Sequence, residues 1–150
     1  VIRTIVKHPD PILHRTSEPV GAVTADTRAL LDDMLDTMYA AQGRGLAGVQ
    51  VAVLQRVVVI DIAWKDGAPE PLCFVDPEIV WVSDEKAVGE ERCLSIPDTP
   101  TAVLRSTAVR VRYRDREGAR QEREFEGLMA MVMQHEVDHL DGVLILDKAA

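Results

Sequence analysis

The stretch Gln134-His135-Glu136-Val137-Asp138-His139 limits what this chain can become more than any other. It sits in a run from Glu126 to Leu140 whose apolar spacing predicts one helix. Leu128, Met131, Val132, His135 and His139 recur at three- and four-residue intervals, so one apolar side carries both imidazoles. Residues four apart on a helix are neighbours, with Cβ atoms roughly 6 Å apart, and two ring nitrogens can converge on one metal ion. Glu136 lies one step round the helix, near enough to act on a water at the ion without being a ligand. This is the H-E-x-x-H arrangement, two ligands and a general base. The competing reading is an amphipathic helix with two packed or half-exposed histidines and no metal.

The rest of the chain supplies elements to pack against such a helix. Thr24 reads as the N-cap of a first helix running to about Gln42, with Leu30, Leu31, Met34, Leu35, Met38 and Tyr39 as its buried stripe. Asp32, Asp33 and Asp36 face water, and Gly43-Arg44-Gly45 is the expected stop. Leu46 to Gln50 reads as a small, apolar loop suited to close backbone approach. Val57 to Ile62 is β-branched and predicts a buried strand, and Leu72 to Val82 a further strand interrupted at Asp76-Pro77. Thr107 to Tyr113 alternates: Val109, Val111 and Tyr113 on one face, Arg110, Arg112 and Arg114 on the other. Asp115 to Gly118 turns it into a polar partner strand, Ala119 to Glu124. Glu90 to Pro97 reads as a loop-like segment between strands, Gly142 as the stop of the metal helix, and Val143 to Leu146 as a short closing strand. At 150 residues the expectation is a single domain, residues 1–150.

Composition narrows the function. With 47% apolar and 28% charged residues the chain is an ordinary globular one, not a disordered one. A net charge of −8 argues against a nucleic-acid-binding surface, which needs clustered Lys and Arg. No apolar run approaches the ~20 residues that span a bilayer, and the charged start, Val1 to Lys7, is unlike a signal peptide. Cys73 and Cys93 do not make a disulfide framework, so a reducing cytoplasm is the expected location.

A catalytic site of this kind keeps three protein ligands and one open position. Asp147 lies downstream of the helix, but only eight residues past His139 and with Gly142 between. Cys93 is the better candidate, because it lies outside any apolar run. Cys73, between Leu72 and Phe74, reads as a small core residue. His8 and His14, in the proline-punctuated N-terminal arm, have no partner at ligand spacing.

Three motifs now stand in order: Gly43-Arg44-Gly45-Leu46-Ala47-Gly48-Val49-Gln50, Glu91-Arg92-Cys93-Leu94-Ser95 and Gln134-His135-Glu136-Val137-Asp138-His139. With them the chain resembles the peptide deformylases over nearly its whole length, the Pro-Asp-Pro arm and long first helix included. The resemblance implies an α+β fold, with antiparallel sheets packed around the metal helix and a helix nearer the N-terminus, and removal of the N-formyl group from nascent polypeptides that begin with formyl-methionine. It implies one divalent ion, Fe(II), replaceable by Zn(II) or Ni(II), held by Cys93, His135 and His139. Glu136 is then the general base, Gln50 and the Leu94 backbone N–H the oxyanion donors, and Gly45 a backbone position that binds the substrate chain. The ribosome is an implied partner.

Three positions depart from the family pattern: Arg92 where glycine is usual, Gly48 where alanine is usual, and Pro100 where many members carry arginine. They motivate a second reading, a deformylase-like paralogue with weak or altered-substrate activity. A zinc endopeptidase and a non-catalytic metal domain are further alternatives; Cys93 as ligand argues against the first, Glu136 with Gln50 against the second.

Overall fold

In the computed structural model, which describes residues 1–150, two α-helices lie against opposite faces of one antiparallel sheet. The helices are α1 (Ala25–Ala40) and α2 (Gly127–Leu140). The strands are β1 (Gly45–Ala47), β2 (Val57–Ile60), β3 (Leu72–Val82), β4 (Lys86–Cys93), β5 (Ile96–Ser106), β6 (Ala108–Arg114) and β7 (Arg120–Glu126). Five of them form a sheet in the order β1-β2-β3-β6-β7, and β4 and β5 form a separate hairpin. This is an α+β architecture with antiparallel sheets and two helices.

Strand β2 shows why a continuous apolar run was needed. Val57 and Val59 pack under α1 with Leu30, Leu31, Met34 and Met38, while Val58 and Ile60 face Ala130, Val132, Met133 and Val137 of α2. A strand buried on both faces reads as unbroken hydrophobicity, not alternation. Strands β6 and β7 have one wet face instead. Arg110 and Arg112 stand in register with Glu124 and Glu122 and pair with them at 3.4 and 2.6 Å, exposed pairs that contribute little.

Helix α1 starts where expected, capped reciprocally by Thr24 and Thr27. Its stop differs from expectation. Gln42, not a glycine, takes the left-handed conformation at φ 60°, while the Gly43 N–H bonds back to the Met38 carbonyl. Gly43 also leaves room for a neighbour: a Cβ there would lie 2.6 Å from Leu94 Cδ1, which would have to shift. At the end of α2, Gly142 meets both demands, with φ +75° and the His14 carbonyl where a Cβ would go.

Four further expectations are corrected. Leu46 to Gln50 is not a loop: β1 pairs with β2, and Gly48–Val51 is a 3₁₀ turn. Glu90 to Pro97 is the tip of the β4–β5 hairpin, with Leu94-Ser95 as its two-residue turn. Val143 to Leu146 forms no strand; Ile145–Lys148 is a 3₁₀ turn, and the hairpin, N-terminal arm and C-terminal turn share a small core of Leu13, Cys93, Ile96, Val103, Leu144 and Ile145. Helix α2 is buried nearly all round, through Met129, Ala130, Met133, Val137 and Leu140 as well, whereas Leu128 is 40% exposed. Met131 is partly buried, and the two residues form a cavity wall instead of core.

Candidate metal centre and active site

Three segments meet at one end of α2: the β1–3₁₀ segment from Gly45 to Val51, the hairpin tip at Cys93, and the helix itself. A register shift between Glu91 and Cys93 leaves Pro97 to Pro100 bulged opposite Arg92. Bulges re-aim side chains and tolerate proline, and beyond this one Cys93 points inward at 5% exposure. The Cys93 Sγ lies 3.2 Å from His139 Nε2, and the ligand atoms of Cys93, His135 and His139 all lie within 4.8 Å of one another. One thiolate and two imidazoles on that scale fit a single divalent ion. Asp147 is elsewhere, accepting from the Leu144 N–H and lying 3.5 Å from His14. Cys73 lies on β3, half-buried, and burial pushes its thiol up to about 11.

A network invisible in the sequence holds the helix side of the site. His135 Nδ1 lies 3.0 Å from Glu91 Oε1, which fixes the ring with Nε2 toward the cluster. Glu91 is clamped in turn by Arg105, whose Nε and Nη2 donate to its two oxygens at 2.9 and 3.0 Å, and Arg105 also reaches Asp138. Burial alone would raise the Glu91 carboxyl, but the bonds from His135 and Arg105 hold it below its ordinary value. His135 is also opposed by burial, yet the carboxylates of Glu136 and Glu91 with Cys93 raise it. His139 is lowered by burial and by the charges of His135 and Arg105, which favours the neutral imidazole that a metal ion would need, whereas His135 would release a proton on binding one.

Glu136 is buried at 4% exposure, with Oε2 3.9 Å from His135 Nε2 and Oε1 without any hydrogen-bond partner. Burial raises its carboxyl above the ordinary range. Gly45 stands directly across: a Cβ there would be 2.8 Å from Glu136 Oε2 and 3.0 Å from Val132 Cγ1. Gln50 is fixed from both ends, its Oε1 accepting from the Ala47 N–H at 3.0 Å and its Nε2 donating to Ser95 Oγ at 3.1 Å. The second Nε2 hydrogen faces Cys93 Sγ at a long 3.6 Å. These groups line a cavity of about 410 Å³ that also includes Leu94, Leu128, Met131 and Val132.

The departures from the family pattern resolve as geometry. Gly48 is required by this packing, since a Cβ would lie 2.9 Å from both the Gln55 carbonyl and Val57 Cγ2. Pro100 is exposed in the bulge and does not line the cavity. Arg92 is on the rim, its side chain 77% exposed and 3.5 Å from Glu90.

Comparison with known proteins shows the family. The model of the polypeptide deformylase family matches residues 2–150. The peptide deformylase of Mesorhizobium japonicum is 51% identical over 146 residues, covering 97% of this chain and 83% of that one. A crystal structure of peptide deformylase from Ehrlichia chaffeensis superposes with a TM-score of 0.94 at 36% identity, covering 100% of this chain and 89% of that one. A Met-Ala-Ser-bound structure of class I type b peptide deformylase from Acinetobacter baumannii gives 0.91 at 33% identity, over 99% and 98% of the two chains. With the family model matched almost end to end and a relative half identical over nearly the same span, this chain belongs to the peptide deformylase family.

Proposed function

We propose that the chain hydrolyses the N-formyl amide of polypeptides that begin with formyl-methionine, with Cys93, His135 and His139 holding the single divalent ion that family membership implies. The observation that carries this reading is the buried Glu136 carboxylate, its Oε1 without a partner, beside three converging ligand atoms at the floor of an open cavity. Fe(II) is the ion expected, with Zn(II) or Ni(II) as replacements. When bound, such an ion supplies a Lewis acid and brings the pKa of water at the site toward neutrality.

The chain's own residues supply the remaining steps. Glu136 takes the proton from the attacking water at a carboxylate oxygen and returns it to the leaving amine; the formyl C–N bond breaks, a C–O bond forms, and formate departs. Its burial suits it to that exchange, because a carboxyl raised toward neutrality can both accept and give the proton. The oxyanion is met by the Leu94 backbone N–H and by Gln50 Nε2, which gives up its long contact to Cys93 Sγ. Gly45 binds the substrate backbone and leaves no room beside Glu136 for a group much larger than formyl. Leu128, Met131 and Val132 form an apolar wall suited to an unbranched methionine side chain. The family resemblance also carries the ribosome as partner and the cytoplasm as location, and residues 1–150 as one domain.

The test is release of formate from formyl-Met-Ala-Ser by the Fe(II)- or Ni(II)-loaded protein, with Glu136→Gln in parallel. Wild type should turn over, and the variant should keep its ion but lose turnover, because an amide cannot accept the proton. A fully loaded wild type that releases no formate overturns the reading. A Glu136→Gln protein with wild-type rates removes Glu136 from it.

A further inference from the structure

The mouth of the cavity is cationic in a chain whose net charge is −8. Arg44, Lys65 and Arg92 line it, and Glu90 is the exposed acid among them. Of the acids at the floor, Glu91 is engaged by Arg105 and His135, and Glu136 is buried beside His135 and His139. Arg92 has a carboxylate partner in Glu90, 3.5 Å away. Arg44 and Lys65 have none. Arg44 is half-buried, directly before Gly45, and its Nε is buried without an acceptor. Lys65 Nζ lies 5.6 Å from the Trp64 ring centroid, not against a carboxylate.

Neither cation hangs on a loose segment. The Arg44 carbonyl accepts from the Asp61 N–H at 2.8 Å. Trp64 Nε1 donates to the Gly43 carbonyl at 2.9 Å, its ring packs edge-on against Tyr39, and its backbone N–H bonds to the buried Asp61 carboxylate at 3.1 Å. The backbone that carries the two cations is therefore fixed, and neither charge has a carboxylate partner; of the two, Arg44 is the half-buried one. A half-buried charge without a counter-ion is poorly solvated, and an anion brought to it relieves the deficit.

An extended peptide advances about 3.3 Å per residue with side chains alternating. Arg44 directly precedes Gly45, and Trp64, next to Lys65, bonds the Gly43 carbonyl, so both cations flank the cavity wall along which a chain leaving Gly45 would run. We propose that Arg44 and Lys65 select substrates bearing a carboxylate side chain in the second or third residue, so that acidic formyl-methionyl chains are processed in preference to basic ones. This rests on the deformylase reading above.

The test compares formyl-Met-Glu-Ser, formyl-Met-Ala-Glu, formyl-Met-Ala-Ser and formyl-Met-Lys-Ser, all as C-terminal amides so that no end carboxylate intervenes, at matched metal content. At low ionic strength the glutamyl peptides should exceed the lysyl one in kcat/KM by about two- to fivefold, the upper part of the range that exposed charge pairs give. The difference should lie in KM and shrink at about 0.5 M salt, where the Debye length is only a few ångström. Arg44→Met and Lys65→Gln should each bring the glutamyl-to-lysyl ratio toward one, and Arg44→Lys should retain it. Lys65 is exposed, so Lys65→Gln carries the test if Arg44→Met does not fold. Equal rates, a lysyl preference, or a glutamyl preference that survives both substitutions or high salt overturns the proposal. If formyl-Met-Ala-Ser itself is not cleaved, the deformylase reading fails and this one falls with it; cleavage without charge preference sinks this one alone.

Discussion

Replacing Arg105 by methionine removes a charge while keeping an unbranched stem of similar length, so the perturbation is electrostatic before it is steric. The side chains of Arg105 and Glu91 are 7% and 1% exposed, and two parallel N–H···O bonds join them at 2.9 and 3.0 Å. Taking one partner from a buried pair leaves the other charge stranded, at about 3–5 kcal/mol. Glu91 would keep its bond to His135, and Asp138, at 21% exposure, would turn to water. The lower end, about 3 kcal/mol, is therefore expected. Against total stabilities of about 5–15 kcal/mol that is a large loss, equivalent to roughly 6–12 °C in Tm for a domain of this size.

Urea unfolding of the metal-stripped protein measures it, with an unchanged m-value as the check that both states are comparable. Metal affinity should also fall, about tenfold or more, because Glu91 no longer holds His135 in one orientation. Glu91→Gln combined with Arg105→Met removes both charges and should recover part of the loss, giving a coupling energy above about 1 kcal/mol. A loss under about 1 kcal/mol with unchanged metal affinity, or a strictly additive cycle, would refute the argument that this pair is the scaffold of the metal helix.

Other measurements follow from the same geometry. Because the Glu91 carboxyl is held below its ordinary value in the folded chain, its contribution is full above the unfolded carboxylate range, about 4.3, and is lost as pH falls through the folded value. Stability of the metal-free protein should thus fall less steeply in acid for Glu91→Gln than for wild type, and equal slopes would contradict it. Cys93→Ala should abolish tight metal binding and Cys73→Ala should leave it intact, read by metal content after dialysis; a stoichiometric ion retained by Cys93→Ala refutes the ligand set. Gln50→Ala should lower kcat on the order of 10²-fold, as for other oxyanion donors, and an unchanged kcat removes Gln50 from the reaction.

What the sequence made legible was what local periodicity and short motifs encode. Thr24 capped the first helix, the Val57 to Ile62 run announced a buried strand, which forms over Val57–Ile60, and the Val109, Val111, Tyr113 alternation announced a half-wet one. The Cys93, His135 and His139 cluster was readable because H-E-x-x-H is a local spacing and a third ligand was chemically required. The Glu91–Arg105 clamp was not readable. In the hairpin Glu91 stands opposite Thr101 and Arg105 opposite Ala87, so the pair forms only by the long arginine reaching along the strand. Cys93 looked like a loop residue because its flanks, Glu90-Glu91-Arg92 and Pro97 to Pro100, are polar or proline-bearing; one strand is bulged there, and bulges accept such residues. Gly43 was read as a helix stop because glycine usually serves there, whereas its missing side chain makes room for Leu94.

The site is also where this chain breaks the rules that the rest of it obeys. Elsewhere, Asp61 apart, apolar residues fill the interior and charges face water. Here Glu91, Glu136, His135, His139 and Arg105 are buried together, and Glu136 Oε1 and His139 Nδ1 have no partner. Local choices that disagree with stable packing mark functional sites, and their destabilisation must be offset nearby. The N-terminal arm is part of that offset. The Val6 N–H bonds the Gln50 carbonyl at 2.7 Å, the His8 N–H bonds the Ser95 carbonyl at 2.8 Å, and Lys7 Nζ reaches the Leu94 carbonyl at 2.9 Å. One short segment thereby ties the 3₁₀ turn to the hairpin tip, the two elements that carry the residues facing α2. Gln50 and Leu94, the two proposed donors, are thus positioned by backbone bonds that lie outside the cavity, and the cavity side is left open for substrate.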